Sequence, residues 1–256
     1  MAARAARSFG QGALVAGFAL YLHALGWTAP AIGATLSAAL IVGAALTLSV
    51  GPVSDRLGRR RFLLAYELLQ AAAALFALLT AWPPILVLAA IVGGFGRGAN
   101  GSAGPFGPLE QAWLAQVLPA ATRGAVFSAN AAIGFGGMAL GALLAGGVQV
   151  LIGPLGEVLA YRPLFLLPLA GSVAAFAFIA SLREPQIRPA PVRAAAASER
   201  RSENRMLIRL VAANTLNGLG IGMIAPLIAY WFALRFQHGP GSIGPALAAS
   251  FVLGAL

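Results

Sequence analysis

Long apolar runs, each about the length of a helix that crosses a bilayer, recur along the whole chain and constrain its fold more than any other feature. Only 9% of the residues are charged, whereas a soluble domain carries about a quarter, so lipid must surround most of the surface. The predicted fold class is an all-α polytopic membrane bundle. Its predicted spans are Phe9–Trp27, Ala31–Val53, Phe62–Trp82, Ile85–Gly107, Ala125–Ile152, Leu164–Leu182, Leu207–Phe236 and a last one from Ile243 onward.

The arginines between the runs predict an orientation in the membrane. With the amino terminus in the cytoplasm, nearly every loop arginine falls on the inner face, and only Arg162 and Arg235 fall on the outer face. This bias predicts a multi-pass protein of the cell membrane with a cytoplasmic amino terminus. The first run follows Arg4 and Arg7 and a second run comes almost at once, so we interpret it as a membrane helix and not as a signal peptide.

Charge and reactive residues exclude several other classes of function. The net charge of +10 comes from arginines scattered between apolar runs, which is not the basic patch of a surface that binds nucleic acid. There is no cysteine, and His23 and His238 lie far apart in sequence, so no metal site is predicted. No nucleophile–base pair is apparent either. We therefore expect no enzyme activity, no metal and no cofactor.

The chain divides into a six-helix half, a polar proline-containing linker and the start of a second half: residues 1–182, 183–206 and 207–256. Displacing the sequence by about 211 positions brings Ile32 and Gly33 onto Ile243 and Gly244. This match predicts an internal repeat, in which the two halves are related by an axis along the membrane normal. The second half then ends within its second span, which suggests a truncated chain.

The loop between the second and third spans carries the pattern Gly-x-x-x-Asp-Arg-x-Gly-Arg-Arg. It resembles the cytoplasmic signature of the major facilitator superfamily at every defined position. We expect Gly51 to let the helix end approach a neighbouring backbone and Gly58 to permit a sharp turn. An ordinary positive loop that binds anionic lipid is the alternative. The resemblance implies a conformational latch between the two halves, made by Gly51, Asp55, Arg56, Gly58, Arg59 and Arg60.

Arg97 lies about midway along the fourth predicted span, where an arginine costs about 2.5–3.5 kcal/mol to insert. It should therefore face a cavity or a polar partner; the alternative is that it extends to the interface or props a neighbouring helix. With Gly101 it resembles the Arg-x-x-x-Gly pattern of proton-coupled members, which implies a role in coupling inside the membrane. Glu67 is the only acidic residue well inside a span. It could relay protons, or it could simply pair with Arg59 or Arg61.

Two further resemblances are weaker. An acidic residue after the fourth helix often pairs with an arginine of the signature loop in this family, which makes Glu110 a candidate partner for Arg59 or Arg60; a solvated loop charge is the alternative. The segment Gly137–Gly146 partly resembles the family's antiporter motif, although Ala142 stands where that motif has proline. Small residues at this spacing also serve simply for close helix packing.

These features together predict a secondary active transporter that works by alternating access. The resemblance favours a proton-coupled exporter of small molecules, and a mostly apolar lining of the expected cavity would favour lipophilic ones over sugars. An importer or facilitator of a small metabolite, or a truncated remnant that does not transport, are the alternatives. The expected partners are a small-molecule substrate, protons and the lipid bilayer, with a monomer favoured. Besides Arg97, the candidates for the lining of a substrate cavity are Gln11, Tyr21, Asn100, Asn214 and Asn217.

Overall fold

The computed structural model describes residues 1–97, 106–182 and 197–255; for residues 52, 55–57, 197–203, 214, 215, 217–219, 221 and 223 it describes the backbone alone. Within these ranges every regular element is a helix, which confirms the all-α fold class. Short 3₁₀ turns at Arg162–Phe165 and Ala225–Leu227 join α8 to α9 and α10 to α11. The helices are α1 (Ala2–Ala24), α2 (Ala29–Leu57), α3 (Arg59–Leu79), α4 (Pro83–Gly93), α5 (Phe106–Val117), α6 (Ala120–Gly146), α7 (Val148–Leu155), α8 (Glu157–Tyr161), α9 (Leu166–Ser181), α10 (Ala197–Ile224), α11 (Ile228–Phe236) and α12 (Pro240–Ala255).

The outside of the bundle is suited to lipid. Large apolar side chains point outwards from it, and Leu48, Leu68 and Val150 are 84%, 61% and 78% exposed. Soluble monomers rarely expose apolar surface on this scale. In the described part of the chain, four helical segments are long and apolar enough to cross a membrane: Ala29–Gly51, Arg59–Leu79, Ala120–Leu155 and Glu157–Ser181.

Helix α1 lies at the centre of the bundle. It packs against α6 and α9, while α3 packs against α9 and α4, and α12 packs against α6. Leu14, Phe18 and Leu22 of α1 are at most 3% exposed. Because protein surrounds α1, this helix can carry the polar residues Arg7 and Gln11 beside its apolar run.

Glycines let the central helices approach at backbone distance. A Cβ atom added at Gly141 would overlap the carbonyl oxygen of Phe9, and one added at Gly12 would overlap the carbonyl oxygen of Met138. Helix α6 therefore touches α1 through backbone atoms, as is common where no hydrophobic drive holds membrane helices together. The same device joins α9 to α1, where Gly171 lies against the carbonyl oxygen of Ala6.

The segment that resembles the antiporter motif is part of this packing. Gly137 and Gly141 face α1, and Gly146 lies against Gly244 of α12. Helix α6 runs through Ala142 to Gly146 without a break, as expected where the proline of the motif is absent. These contacts support the packing interpretation of the small residues.

The predicted fourth span is not a single helix in the described residues. Helix α4 ends because Gly94 adopts the left-handed conformation, with φ +64°, and closes the last turn. Gly96 also has a positive φ, +78°. Arg97 consequently lies in the turn that follows α4 and not midway along a helix. Four closely spaced glycines around this point weaken the helix enough for the chain to leave it.

Helix α10 begins inside the predicted linker. Its first residue is Ala197, so the polar end of the linker is helical in the described part. The sequence of this stretch is rich in glutamate and arginine, which form helices readily. The division of the chain at residue 206 and the relation between its two halves stay predictions.

Candidate functional site

The signature loop forms a tight corner between two long helices. Helix α2 continues to Leu57 and α3 begins at Arg59, so Gly58 alone turns the chain. It does so with φ +86° and ψ 132°, a conformation that L side chains rarely adopt. The prediction that Gly58 permits a sharp turn is confirmed.

The expected role of Gly51 is not seen. This residue is exposed on α2, and a Cβ added there would meet no described atom within 4 Å. The prediction of a close backbone approach at Gly51 is therefore wrong for the described residues. The physical reason is that α2 packs mainly on α4, whereas Gly51 lies on a face of α2 that no described helix covers.

Two arginines of the signature join the corner to the ends of other helices. The Nη1 atom of Arg59 donates to Oε1 of Gln116 on α5 at 2.7 Å. The Nε atom of Arg60 donates to the carbonyl oxygen of Ile179 at 3.3 Å, and its Nη2 atom donates to that of Ala180. The last carbonyls of a helix carry partial negative charge, so Arg60 caps α9 and fixes it to the corner.

Glu110 has a different partner from the expected one. Its Oε1 atom lies 3.9 Å from the amino group of Met1, and its charge also acts on Arg4. The predicted pair with Arg59 or Arg60 is not what the structure shows. The amino terminus reaches Glu110 because α1 begins at residue 2 and delivers its first turn to this end of the bundle. The side chains of Asp55 and Arg56, also assigned to the latch, lie outside the described residues.

Replacing Gly58 with alanine should destabilise the protein by about 1–3 kcal/mol, because the φ of +86° strains any L side chain. Gly51→Ala is the matched control on the same motif, since a Cβ there meets open space. It should be neutral or stabilise by up to about 1 kcal/mol, the usual gain of alanine over glycine in a helix. Thermal unfolding of both variants in detergent measures the difference, and equal midpoints would contradict the strained corner.

Among the described residues, the most deeply buried charges form an ion pair between α1 and α3. The Nε atom of Arg7 donates to Oε1 of Glu67 at 2.8 Å, and Nη2 of Arg7 lies 2.7 Å from the same oxygen. The side chains are 2% and 0% exposed. The Arg7 guanidinium also stacks on the ring of Phe106, 3.1 Å from its centroid, a favourable cation–π contact. Glu67 therefore pairs with Arg7 and not with Arg59 or Arg61.

Arg97 lies beside this pair. Its side chain is 7% exposed, and its guanidinium packs on the backbone of Gly43 in α2. It borders a small cavity of mixed polarity, whose other polar lining is Arg7, Gln11, Gln70 and Ser172. The expectation that Arg97 faces a cavity is confirmed.

Other predicted site residues are separate from this cavity or lie outside the description. Tyr21 is 1% exposed and packs at 5.3 Å, centroid to centroid, on Phe165 in an aromatic cluster. Asn100 and Gly101 lie outside the described residues, as do the side chains of Asn214 and Asn217, both on α10. Of the predicted cavity residues, Gln11 and Arg97 are brought together.

Arg7 is the functional candidate that sequence reasoning missed, since it was counted as a flanking positive charge. A signal was present: Arg4, Arg7 and Gln11 follow one another at helical spacings of three and four, so they share one face of α1. A polar stripe that continues into an apolar run indicates a helix whose stripe faces protein.

The helical bundle, its lipid-suited surface and its buried charges define a polytopic α-helical membrane protein. Within that class, the chain belongs to the Major Facilitator Superfamily, because the family model matches residues 1–256. The resemblance carried by the signature loop is thereby confirmed for the family.

Comparison with solved structures shows which known fold the chain resembles. No curated protein matches the chain. Among solved structures it is similar to the crystal structure of a D-xylose-proton symporter, with 17% sequence identity and a TM-score of 0.63. The match covers 98% of this chain and 64% of the symporter chain, so this chain spans less than two thirds of that protein's length. At this identity the likeness concerns the fold.

Proposed function

We propose that the protein is a secondary active transporter that works by alternating access and exports small molecules in exchange for protons. Membership of the superfamily supports transport rather than catalysis. The observation that carries the proposal is the buried pair of Arg7 and Glu67 beside Arg97. Ionisable groups inside the membrane are costly and usually mark the path or the coupling of a transported species.

In this proposal Glu67 is the group that accepts and releases a proton, because an arginine stays protonated at every physiological pH. Loss of the charge of Glu67 weakens its attraction for Arg7 and so loosens the contact between α1 and α3. The corner at Gly58, anchored by Arg59 and Arg60, serves as a cytoplasmic latch. The protein lies in the cell membrane, with its amino terminus and its arginine-bearing loops on the cytoplasmic face. The working unit is a monomer.

Proton-coupled import of a small metabolite is the second candidate. It is favoured by the fold likeness to a protein titled a D-xylose-proton symporter. Two probes separate the directions in cells that express the full-length protein: efflux of ethidium for export, and uptake of D-xylose for import. Ethidium efflux that an uncoupler abolishes supports the exporter, whereas uncoupler-sensitive xylose uptake supports the importer. If the cells show neither ethidium efflux nor xylose uptake, the protein either transports other molecules or does not transport at all.

Arg97→Gln should lower the coupled transport rate of whichever probe responds by roughly ten- to a hundredfold, the range of typical coupling free energies between sites. Glutamine keeps part of the side-chain volume but removes the charge beside the Arg7–Glu67 pair. Arg123→Gln is the matched control, because Arg123 is exposed and binds only the backbone of Leu118 among its described contacts. Transport by Arg97→Gln at the control rate would remove Arg97 from the coupling mechanism.

A further inference from the structure

The buried charges of the described residues do not balance. Three arginines, Arg4, Arg7 and Arg97, are at most 7% exposed, and the buried carboxylates of that part of the chain are Glu67 and Glu110. Glu67 pairs with Arg7, and Glu110 acts on Arg4. Arg97 is then left without a carboxylate among the described residues.

The described residues around Arg97 do not neutralise it. Its Nη2 atom lies 3.5 Å from the carbonyl oxygen of Ile91, which is a long contact. Its Nη1 atom is buried and meets no described hydrogen-bond acceptor. On α2, the backbone position of Asp55 is about three turns further along the helix than Gly43, on which Arg97 packs. An arginine cannot relieve a buried charge by losing its proton, so a bound anion can supply the counter-charge that the described residues lack.

The cavity beside Arg97 offers hydrogen-bond donors. Gln70 and Ser172 are 6% and 2% exposed, and both line it together with Gln11. Arg7 lines it as well, and the Nη1 atom of Arg7 meets no acceptor in the described part of the protein. The amide and guanidinium groups can donate to an anion, whereas the hydroxyl of Ser172 already donates to Glu67.

The size of the cavity restricts the ligand. It has space for about one water molecule, which suits a monatomic anion and excludes a carboxylate-bearing substrate. A divalent anion would overcompensate the single excess charge. We propose that this cavity binds one halide ion, chloride under ordinary conditions, as the counter-ion of Arg97. The inference rests on the proposed function only in that both use Arg97, because anion binding needs neither a proton gradient nor a substrate.

The test is the thermal unfolding of the full-length protein in detergent, with sodium chloride replaced by sodium gluconate at constant ionic strength. Chloride should raise the unfolding midpoint by about 3–5 °C for each tenfold excess over its dissociation constant. Bromide should replace chloride, and sulfate should not. Equal midpoints in chloride and gluconate would overturn the proposal and mean that the cavity holds water only.

The variants identify the residue responsible. Arg97→Gln should lose the chloride-dependent shift, Arg97→Lys should keep part of it, and the exposed control Arg123→Gln should keep all of it. A shift of unchanged size in Arg97→Gln would overturn the assignment to this cavity. If Arg97→Gln does not fold, equilibrium dialysis of the unaltered protein with radiolabelled chloride decides the question. One ion bound per chain supports the site and none refutes it.

The outcomes remain distinct from those of the transport test. Chloride binding without transport of either probe would leave the anion site standing and remove the proposed function. Coupled transport without chloride binding would support the proposed function and remove the anion site.

Discussion

Arg7→Met should destabilise the full-length protein by about 3–5 kcal/mol, the usual result of removing one partner of a buried ion pair. Methionine matches much of the arginine side chain in volume, so little cavity forms. What remains is Glu67, with 0% of its side chain exposed and its only described ion-pair partner gone. For a chain of 256 residues this corresponds to an unfolding midpoint lower by roughly 6–20 °C.

The double variant Arg7→Met, Glu67→Met separates the lost pair from the lost packing. Replacing both members of a buried pair with apolar residues is often neutral or even stabilising, so the double variant should recover most of the midpoint. Arg123→Met, on the exposed surface, is the control for loss of an arginine. A double variant less stable than Arg7→Met would show that the pair is not the cause.

Gly141→Ala should destabilise the protein by about 1–3 kcal/mol or more, as overpacking of a close contact does. The added methyl group would overlap the carbonyl oxygen of Phe9, and backbone atoms cannot move aside without separating α6 from α1. In an open helix the same change normally stabilises, by up to about 1 kcal/mol. Destabilisation by Gly141→Ala would therefore indicate the close contact between Gly141 and the backbone of Phe9, whereas stabilisation would indicate an open site.

Gly136→Ala supplies that open comparison on the same helix, since a Cβ there meets no described atom within 4 Å. Thermal unfolding of the two variants in one detergent should give shifts of opposite sign. Shifts of the same sign and size would contradict the glycine-mediated packing of α1 on α6.

The sequence was sufficient for the fold class and for the corner at Gly58. Long apolar runs have one stable form in lipid, because only a helix satisfies its own backbone hydrogen bonds there. A signature with a glycine between two charged helix ends likewise fixes a local turn. Both depend on residues close together in the chain, which is why they could be predicted.

The charged site could not be predicted in the same way. Arg7 and Glu67 are 60 positions apart, and their pairing depends on α1 lying at the centre of the bundle, which hydropathy does not indicate. The partner of Glu110 and the open face around Gly51 also follow from how helices pack. The end of α4 at Gly94 was missed because glycines are frequent inside membrane helices, so they do not by themselves indicate where one stops.

The two kinds of contact inside the bundle have different mechanical consequences. Where Gly146 meets Gly244, the backbones of α6 and α12 lie in direct contact, and no side chain separates them at that point. Where Phe18 lies edge-on to Phe95 and Phe165, with centroids 5.2 Å and 6.2 Å away, the rings interlock. Displacement of α1 has to dislodge them. Movement of α1 relative to its neighbours therefore requires the aromatic rings to repack, a cost that the glycine contact between α6 and α12 does not add.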